Sequence, residues 1–204
     1  MIREVSEKEF ALHKKNALLR MDHSKKGSID DRIKPLIELI NSIPELYTTS
    51  SCSGRIMLIE RRGERKDQAE WLFVSHDPVN PEDVLQALKK RGTGSVWLKQ
   101  ENLIIHLAAR SIDLANSLVV LGNSSGFKRS GIISAGQRIM VSIESPEGIN
   151  SLVASKEEIL MSEEGLRRLC SEANKRMETN FSRMARLYSQ LEKFKRELHS
   201  GDKN

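Results

Sequence analysis

The chain has 204 residues, and its 38% hydrophobic content suffices for a packed core and excludes wholesale disorder. Its 33 lysines and arginines exceed its 28 aspartates and glutamates, which gives a net charge of +5. This modest excess permits a polyanionic partner such as nucleic acid, although an ordinary solvated surface is the simpler explanation.

The cysteines and the apolar runs bear on the compartment. Only Cys52 and Cys170 occur, far apart, which is typical of a reducing environment. No apolar run reaches the roughly 18 residues that a membrane span needs, and the charged start of the chain is unlike a signal peptide. We therefore expect a soluble, cytoplasmic protein that does not use a membrane.

Two amphipathic helices are predicted before the first strand. The first covers residues 3–20, and its candidate core contacts are Val5, Phe10, Leu12, Leu18 and Leu19. The second runs from Asp30, a suitable capping residue, to about Ser42. Its apolar face consists of Ile33, Leu36, Ile37 and Ile40.

Short strands and helices alternate after residue 46. The predicted elements are strands at 47–50 and 55–61 around a turn at 51–54, a strand at 71–75, a helix at 81–90, a hairpin of 95–99 and 103–109, a helix at 111–123, and strands at 128–134, 138–144 and 149–154. The order of strand, helix and hairpin occurs twice. This favours an α+β fold around a mixed β-sheet, arranged as two βαββ-like repeats with flanking helices.

A long C-terminal helix is predicted over residues 162–198. Its apolar stripe consists of Ala173, Met177, Met184, Leu187, Leu191, Phe194 and Leu198, interrupted by Asn180. We favour packing of this stripe on the protein's own sheet over a coiled coil with a partner. The opposite face is basic and either solvated or, beside a nucleic acid, able to follow its backbone. No linker is evident, which predicts a single domain over residues 1–204.

The most informative segment is residues 48–54, where seven consecutive residues are small and six carry a hydroxyl or thiol. Small side chains let a ligand approach the backbone, and Gly54 permits a positive φ. Arg55 adds a planar donor for a carboxylate or phosphate. The segment therefore predicts a loop that binds an anionic ligand.

Other residues leave alternatives open. If Cys52 is a nucleophile, it needs a base, which His76 or His106 would supply. We favour the interpretation that Cys52 is a buried, unreactive thiol. A zinc site from the same three residues lacks a recognised ligand spacing, so we expect no metal. His106 lies within a strand, opposite the face of Ile105, where a histidine is commonly only a satisfied polar residue.

Cations near these residues indicate anion contacts. Lys99 and Arg110 lie at strand ends near His106, and residues 126–131 combine two cations, a hydroxyl and bracketing glycines. No glycine-rich GxGxxG loop follows a strand, so a Rossmann fold has no support. The residues alone predict a polar, anion-binding pocket and a basic surface, without naming a reaction.

Five motifs give the chain a family resemblance. In chain order they are residues 22–27, residues 47–56, Trp71 with Ser75 and His76, residues 97–99 leading to His106, and residues 126–132. Together they resemble the tRNA wybutosine-synthesizing protein 3 family, over residues 10–188. The resemblance implies a fold that is neither Rossmann nor knotted. It also implies S-adenosylmethionine-dependent methylation of the position-4 nitrogen in the tricyclic base made from guanosine 37 of tRNA(Phe).

The resemblance implies roles for individual residues, with the anticodon loop as the partner. The residues lining the cofactor pocket would be Ser50, Ser51, Ser53 and Arg55. The residues at its rim, toward the RNA, would be Asp22, Ser24, Lys26 and Asp30. Phosphates or a carboxylate would be held by Lys99, Arg110, Arg129 and Ser130. His106 and His76 are the candidate bases, of which we prefer His106.

Two rival functions remain. A non-catalytic tRNA-binding module explains the basic surface but not the small polar segment. A hydrolase or transferase built on Cys52 requires that thiol for activity.

Overall fold

The structure, a computed structural model, describes residues 6–19, 30–63, 68–145, 147–156 and 158–200. These residues form five helices and seven strands. In chain order they are α1 (Glu7–Leu18), α2 (Lys34–Asn41), β1 (Leu46–Arg61), β2 (Ala69–Ser75), α3 (Pro81–Lys89), β3 (Ser95–Ala109), α4 (Ile112–Ser125), β4 (Gly131–Ala135), β5 (Ile139–Glu144), β6 (Ile149–Ser155), β7 (Glu158–Ile159) and α5 (Glu163–Ser200).

The strands form an antiparallel sheet. Hydrogen-bonded neighbours follow the order β2-β1-β3-β5-β4, and β6 pairs with β3 and β7. Every pair whose register is described is antiparallel, where the sequence predicts a mixed sheet. Short connections, such as those between β4 and β5 and between β6 and β7, suit antiparallel neighbours. The predicted α+β class and the long C-terminal helix are confirmed.

Two predicted turns are wrong. Residues 51–54 continue β1 and residues 100–102 continue β3, so each predicted pair of strands is one long strand. Gly54 adopts φ +103° without leaving β1. In β3, residues up to Gln100 pair with β6, and residues from Ile104 onward pair with β5. A change of partner, and not a change of direction, separates the two apolar segments of β3.

The described residues form two compact units. The first contains the described residues within 1–53, 103–146 and 182–204, and the second those within 54–102 and 147–181. Strands β1 and β3 and helix α5 contribute residues to both units, so the division coincides with no linker.

The core of the first unit joins α2, α4, β5 and the second half of β3. All four residues predicted for the apolar face of α2 are buried there, which confirms the helix. Its predicted start is wrong, since the helix begins at Lys34 with Ile33 as its N-cap and not at Asp30. Side chains on β3 alternate, with Ile105 fully buried and His106 half-buried, as predicted. His106 is therefore held on a rigid strand with its ring accessible.

Helix α1 contributes less to the core than its sequence predicts. Phe10 is buried, with its ring centroid 5.2 Å from that of Tyr47. Leu12, Leu18 and Leu19 are exposed, so their prediction as core contacts is wrong, and Val5 lies outside the described residues. Spacing alone does not separate buried Phe10 from the exposed leucines, because the apolar positions of this segment do not follow one face.

The core of the second unit joins α3, the second half of β1 and the first half of β3. Helix α5 adds Leu166, Cys170, Ala173 and Met177 to this core, and it adds Leu187 and Leu191 to the core of the first unit. The apolar stripe of α5 is thus buried within the chain, as predicted. No helix in the described part of the chain is long and apolar enough to cross a membrane.

A buried carboxylate orders the second unit. Glu60 on β1 is fully buried, and its two oxygens accept the N–H groups of Gly94 (2.7 Å) and Gly92 (3.2 Å). Arg62 Nη2 lies 3.2 Å from the same carboxylate. Burial by itself raises the pKa of Glu60, but these donors outweigh burial and hold the pKa below its ordinary value.

Replacing Glu60 with glutamine is expected to lower the free energy of unfolding by about 1–3 kcal/mol, because an amide NH₂ then faces a buried N–H group. The matched control is Glu70→Gln, since Glu70 contacts the same Arg62 at 2.7 Å but is 57% exposed. That control is expected to change stability by less than about 0.5 kcal/mol. Urea denaturation measures both, and equal losses would contradict the assignment.

The lowered pKa of Glu60 also fixes a pH dependence. Its contribution to stability is complete above the pKa of about 4.3 in the unfolded chain, and it is lost as pH falls through the lower folded value. Wild-type stability should therefore fall more steeply on acidification than that of the Glu60→Gln variant.

Candidate functional site

The small polar segment lies in a strand and remains accessible. Residues 48–52 of β1 are each half-buried or exposed, whereas Tyr47 before them and Ser53 and Gly54 after them are buried. Successive strand residues point to opposite faces, so a run of five accessible residues means that neither face of β1 is closed here. The predicted ligand-binding segment is thus a stretch of strand and not a loop.

Ser50 and His106 meet directly in the first unit. Ser50 Oγ lies 2.9 Å from His106 Nδ1, and the hydroxyl of Thr49 donates to the carbonyl oxygen of His106 at 3.2 Å. When Ser50 Oγ accepts the Nδ1–H, Nε2 carries the lone pair and can take a proton. The two contacts hold the imidazole in one orientation beside the accessible part of β1.

Asp30 acts on the backbone of the same unit. It is 6% exposed, and its carboxylate oxygens accept the N–H of Ser53 at 3.0 Å and of Ile33 at 3.3 Å. Ser53 is itself fully buried. Asp30 therefore joins the start of the turn before α2 to β1, and it fixes the position of the strand that carries Ser50.

Arg55 lies in the second unit and contacts two side chains there, Glu101 and Trp71. Its Nε is 2.9 Å from Glu101 Oε2, and its Cζ lies 5.1 Å from the ring centroid of Trp71. The side chains of Arg55 and Glu101 are 27% and 43% exposed. The guanidinium group lies over the Trp71 ring, and Arg55 and Glu101 present opposite charges to an approaching ligand.

Gly54 permits a close approach of backbone in the second unit. A Cβ at this position would lie 2.7 Å from the carbonyl oxygen of Glu101 and 3.1 Å from the carbonyl carbon of Asn102. With φ at +103°, the conformation is also one that favours glycine. Gly54 thereby sets the register of Arg55 against Glu101.

The four residues predicted to hold phosphates or a carboxylate differ in their contacts and exposure. Arg110 Nη2 lies 3.9 Å from Glu45 Oε1 in the first unit. Arg129 is exposed, and the hydroxyl of Ser130 donates to the carbonyl oxygen of Phe127 at 2.7 Å. Lys99 is half-buried on β3 of the second unit, with Asn150 as its partner in register.

Two of the remaining predicted site residues are described by the structure, and three are not. His76 and Ser51 are half-buried, in the second and first units respectively. Asp22, Ser24 and Lys26 lie outside the described residues.

The two thiols differ. Cys170 is fully buried, and burial raises the pKa of its thiol to about 11, which makes it a packing residue. Cys52 is half-buried in the accessible segment, whereas the sequence predicts a buried thiol.

Glu101 was not predicted as a site residue, and Thr49 was predicted only as a member of the segment at residues 48–54. Glu101 contacts Arg55 although 46 positions separate them, and Thr49 contributes its hydroxyl to His106. In the sequence, Glu101 is one of three consecutive polar residues, 100–102, which are typical of a loop. That signal gains meaning only when the pairing of the strands is known.

Comparison with known proteins gives a consistent family match. The model of the family described as methyltransferase TYW3 matches residues 7–193. A Mus musculus protein, tRNA wybutosine-synthesizing protein 3 homolog, is 37% identical over 90% of this chain and 73% of its own length. A Pyrococcus abyssi protein, tRNA(Phe) 7-((3-amino-3-carboxypropyl)-4-demethylwyosine(37)-N(4))-methyltransferase 1, is 36% identical over 93% of this chain and 92% of its own length. The solved structure of the PH1069 protein from Pyrococcus horikoshii has a TM-score of 0.84 at 36% identity, covering 91% of this chain and 97% of that chain.

Proposed function

The chain belongs to the methyltransferase TYW3 family, and from this premise we propose that it methylates the position-4 nitrogen of the tricyclic guanosine-37 derivative in tRNA(Phe), with S-adenosylmethionine as the donor. The relatives named for this reaction share 36% identity over nearly the whole chain. The observation that carries the proposal within this chain is the accessible segment at residues 48–52, with His106 hydrogen-bonded to Ser50. For this reaction we propose a cytoplasmic location, where the protein would meet its tRNA.

The donor set of the second unit fits the amino-acid end of S-adenosylmethionine. Arg55 would receive the carboxylate through its guanidinium, and Glu101 would receive the ammonium group. When bound, S-adenosylmethionine supplies a methyl group on a positively charged sulfur, which needs no further activation.

His106 is proposed as the base. The acceptor nitrogen must release its proton as its lone pair forms the new nitrogen–carbon bond, and the electrons of the broken carbon–sulfur bond remain with sulfur. His106 Nε2 takes that proton when Nδ1–H is donated to Ser50 Oγ. Ser50 and Thr49 act as positioning residues, because they hold the ring and backbone of His106 and not the reacting atoms.

Recognition of the RNA requires that the modified base leave its stack in the anticodon loop. We propose that Arg110, Arg129 and Ser130 of the first unit contact phosphates of the RNA. For Lys99 of the second unit we propose a separate phosphate contact. Asp30 is assigned to positioning, because both of its oxygens already accept backbone N–H groups.

The test supplies purified protein and methyl-labelled S-adenosylmethionine to three RNAs. These are tRNA(Phe) with the demethylated tricyclic precursor, fully modified tRNA(Phe), and an unmodified transcript. Label is expected in the first alone. Binding of tRNA without transfer to any of the three would instead support a non-catalytic tRNA-binding module. Transfer that is lost in Cys52→Ser would support the thiol-dependent alternative.

A further inference from the structure

A basic side chain of α5 lies across the end of α4 in the first unit. Helix α4 ends in Gly126, which caps it in the left-handed conformation at φ +105°. A Cβ on Gly126 would lie 3.0–3.1 Å from the side chain of Arg183. Arg183 Nη1 in turn donates to Ser145 Oγ at 3.2 Å, just beyond β5. The glycine cap therefore lets α5 place a guanidinium directly over this helix end.

Two further cations follow in the turn after α4. Arg129 donates its backbone N–H to the carbonyl oxygen of Glu144 at 3.1 Å, next to the Ser145 that receives Arg183. The side chains of Lys128 and Arg129 are both exposed. The turn and Arg183 thus reach adjacent residues at the end of β5.

Helix α5 adds a fourth cation beside this turn. The hydroxyls of Ser124 and Ser125 donate to Gln190 Oε1 at 2.8 and 2.9 Å. Arg183 and Gln190 therefore both contact the end of α4. Arg186 lies between them along the helix, one turn from each, and is exposed. We call Lys128, Arg129, Arg183 and Arg186 the α4-end surface.

The sign of the charge distinguishes this surface from an ordinary solvated face. Residues 114–143 and residues 179–191 contain no aspartate or glutamate. Earlier in α5, Arg167, Arg168 and Arg176 each form an ion pair with a glutamate four positions before them, whereas the residues three and four positions from Arg186 on either side carry no carboxylate. Two segments free of acidic residues meet at the end of α4. Glu144, whose carbonyl oxygen accepts the N–H of Arg129, adjoins this turn and is half-buried, and the four cations of the α4-end surface outnumber it, so the local charge is positive.

We propose that the α4-end surface binds the phosphate backbone of the substrate RNA, which extends the phosphate contact proposed for Arg129 to the neighbouring cations. The proposal rests on the proposed function for its partner. Guanidinium groups suit phosphates because they donate two parallel hydrogen bonds, and exposed side chains in a turn can follow a flexible backbone. Lys128, Arg129 and Arg186 make the phosphate contacts. Arg183 packs against Gly126 and donates to Ser145, so it holds α5 beside the end of α4.

The test is the salt dependence of RNA binding by the full chain. A variant with K128Q, R129Q and R186Q is compared with wild type for binding of full-length tRNA(Phe) transcript at about 50–300 mM KCl. Binding is expected to weaken at least tenfold at the lowest salt. The slope of log Kd against log salt should fall by about 2–3, since each lost phosphate contact removes roughly 0.7–0.9.

A matched control removes three other exposed cations in the second unit, with K89Q, R168Q and K175Q. It changes the net charge equally and is expected to alter Kd less than about threefold. Equal effects of the two triple variants would overturn the proposal. If the first triple variant does not fold, as judged by its thermal midpoint, the single variants K128Q and R186Q carry the test, each with a slope lower by about 0.7–0.9.

The outcomes separate this inference from the proposed function. If wild type methylates tRNA and the first triple variant keeps the full salt slope, only the α4-end surface is refuted. If wild type binds no tRNA, the proposed function and this inference fall together. Capture of an acidic peptide with equal affinity, in place of RNA, would also overturn the assignment of the partner.

Discussion

Replacing His106 with alanine is expected to slow methyl transfer by about 10² to 10⁴, because the variant lacks the base that takes the proton from the acceptor nitrogen. His106→Gln should be equally slow, since glutamine can still hydrogen-bond to Ser50 but supplies no base. Ser50→Ala should lose only about tenfold, because the imidazole remains but is no longer oriented. Single-turnover rates with saturating tRNA and S-adenosylmethionine measure these losses.

Binding measurements make the His106 result specific. Both ligands should bind the His106→Ala variant within about threefold of wild type, since an energetic loss confined to the reaction step leaves the ground state unchanged. His76→Ala separates the two histidine candidates. If that variant is the slow one and His106→Ala stays within about twofold of wild type, the base is His76 and the role given to His106 is wrong.

Replacing Gly54 with alanine is expected to destabilise the protein by about 2–5 kcal/mol. A positive φ costs a residue with a Cβ about 1–2 kcal/mol, and forced contacts in a packed interior add about 1–3 kcal/mol. The nearest atom to the added Cβ is the carbonyl oxygen of Glu101 at 2.7 Å, which belongs to the backbone of β3 and cannot turn aside. The thermal midpoint should fall by roughly 5–15 °C.

Gly136 provides the control for this substitution. It lies in the turn between β4 and β5, and no atom is found within 4 Å of a Cβ added there. Gly136→Ala is expected to change stability by less than about 0.5 kcal/mol. If the Gly54→Ala variant has the same thermal midpoint as Gly136→Ala, β1 and β3 can move apart at this point without loss of stability, which would contradict the close approach described.

The helices and the apolar cores were predictable because their signals are local. The face of α2 follows a 3.6-residue period, and a single pattern places Ile33, Leu36, Ile37 and Ile40 inward. The stripe on α5 is likewise buried. In α1 the signal is weak, and exposed Leu12, Leu18 and Leu19 show that apolar residues without a consistent face do not identify a core.

The strands were harder because pairing is not local. A cluster of small residues ending in Gly54 is typical of a turn, yet β1 continues through it as an extended strand. The polar residues 100–102 are typical of a loop, yet they remain in β3 because a buried Gln100 pairs with Ile149 of β6. Propensity favoured a turn in both places, and pairing with neighbouring strands outweighed it.

The site was predictable in its residues and not in its contacts. Ser50, Arg55 and His106 stand out by type, but the sequence does not indicate that Ser50 reaches His106 or that Glu101 reaches Arg55. Both contacts join residues more than 40 positions apart, so they depend on strand register. Asp30 illustrates the same limit, because its carboxylate is engaged by backbone N–H groups of β1 and the turn before α2.

The most direct measurement is the mass of the nucleoside at position 37 of tRNA(Phe), before and after incubation with the protein and S-adenosylmethionine. We expect the demethylated tricyclic nucleoside to gain the mass of one methyl group, with one S-adenosylhomocysteine released for each. The same nucleoside should gain nothing when the His106→Ala variant is used for the same time. An unchanged nucleoside at position 37, with S-adenosylmethionine bound and intact, would contradict the central claim.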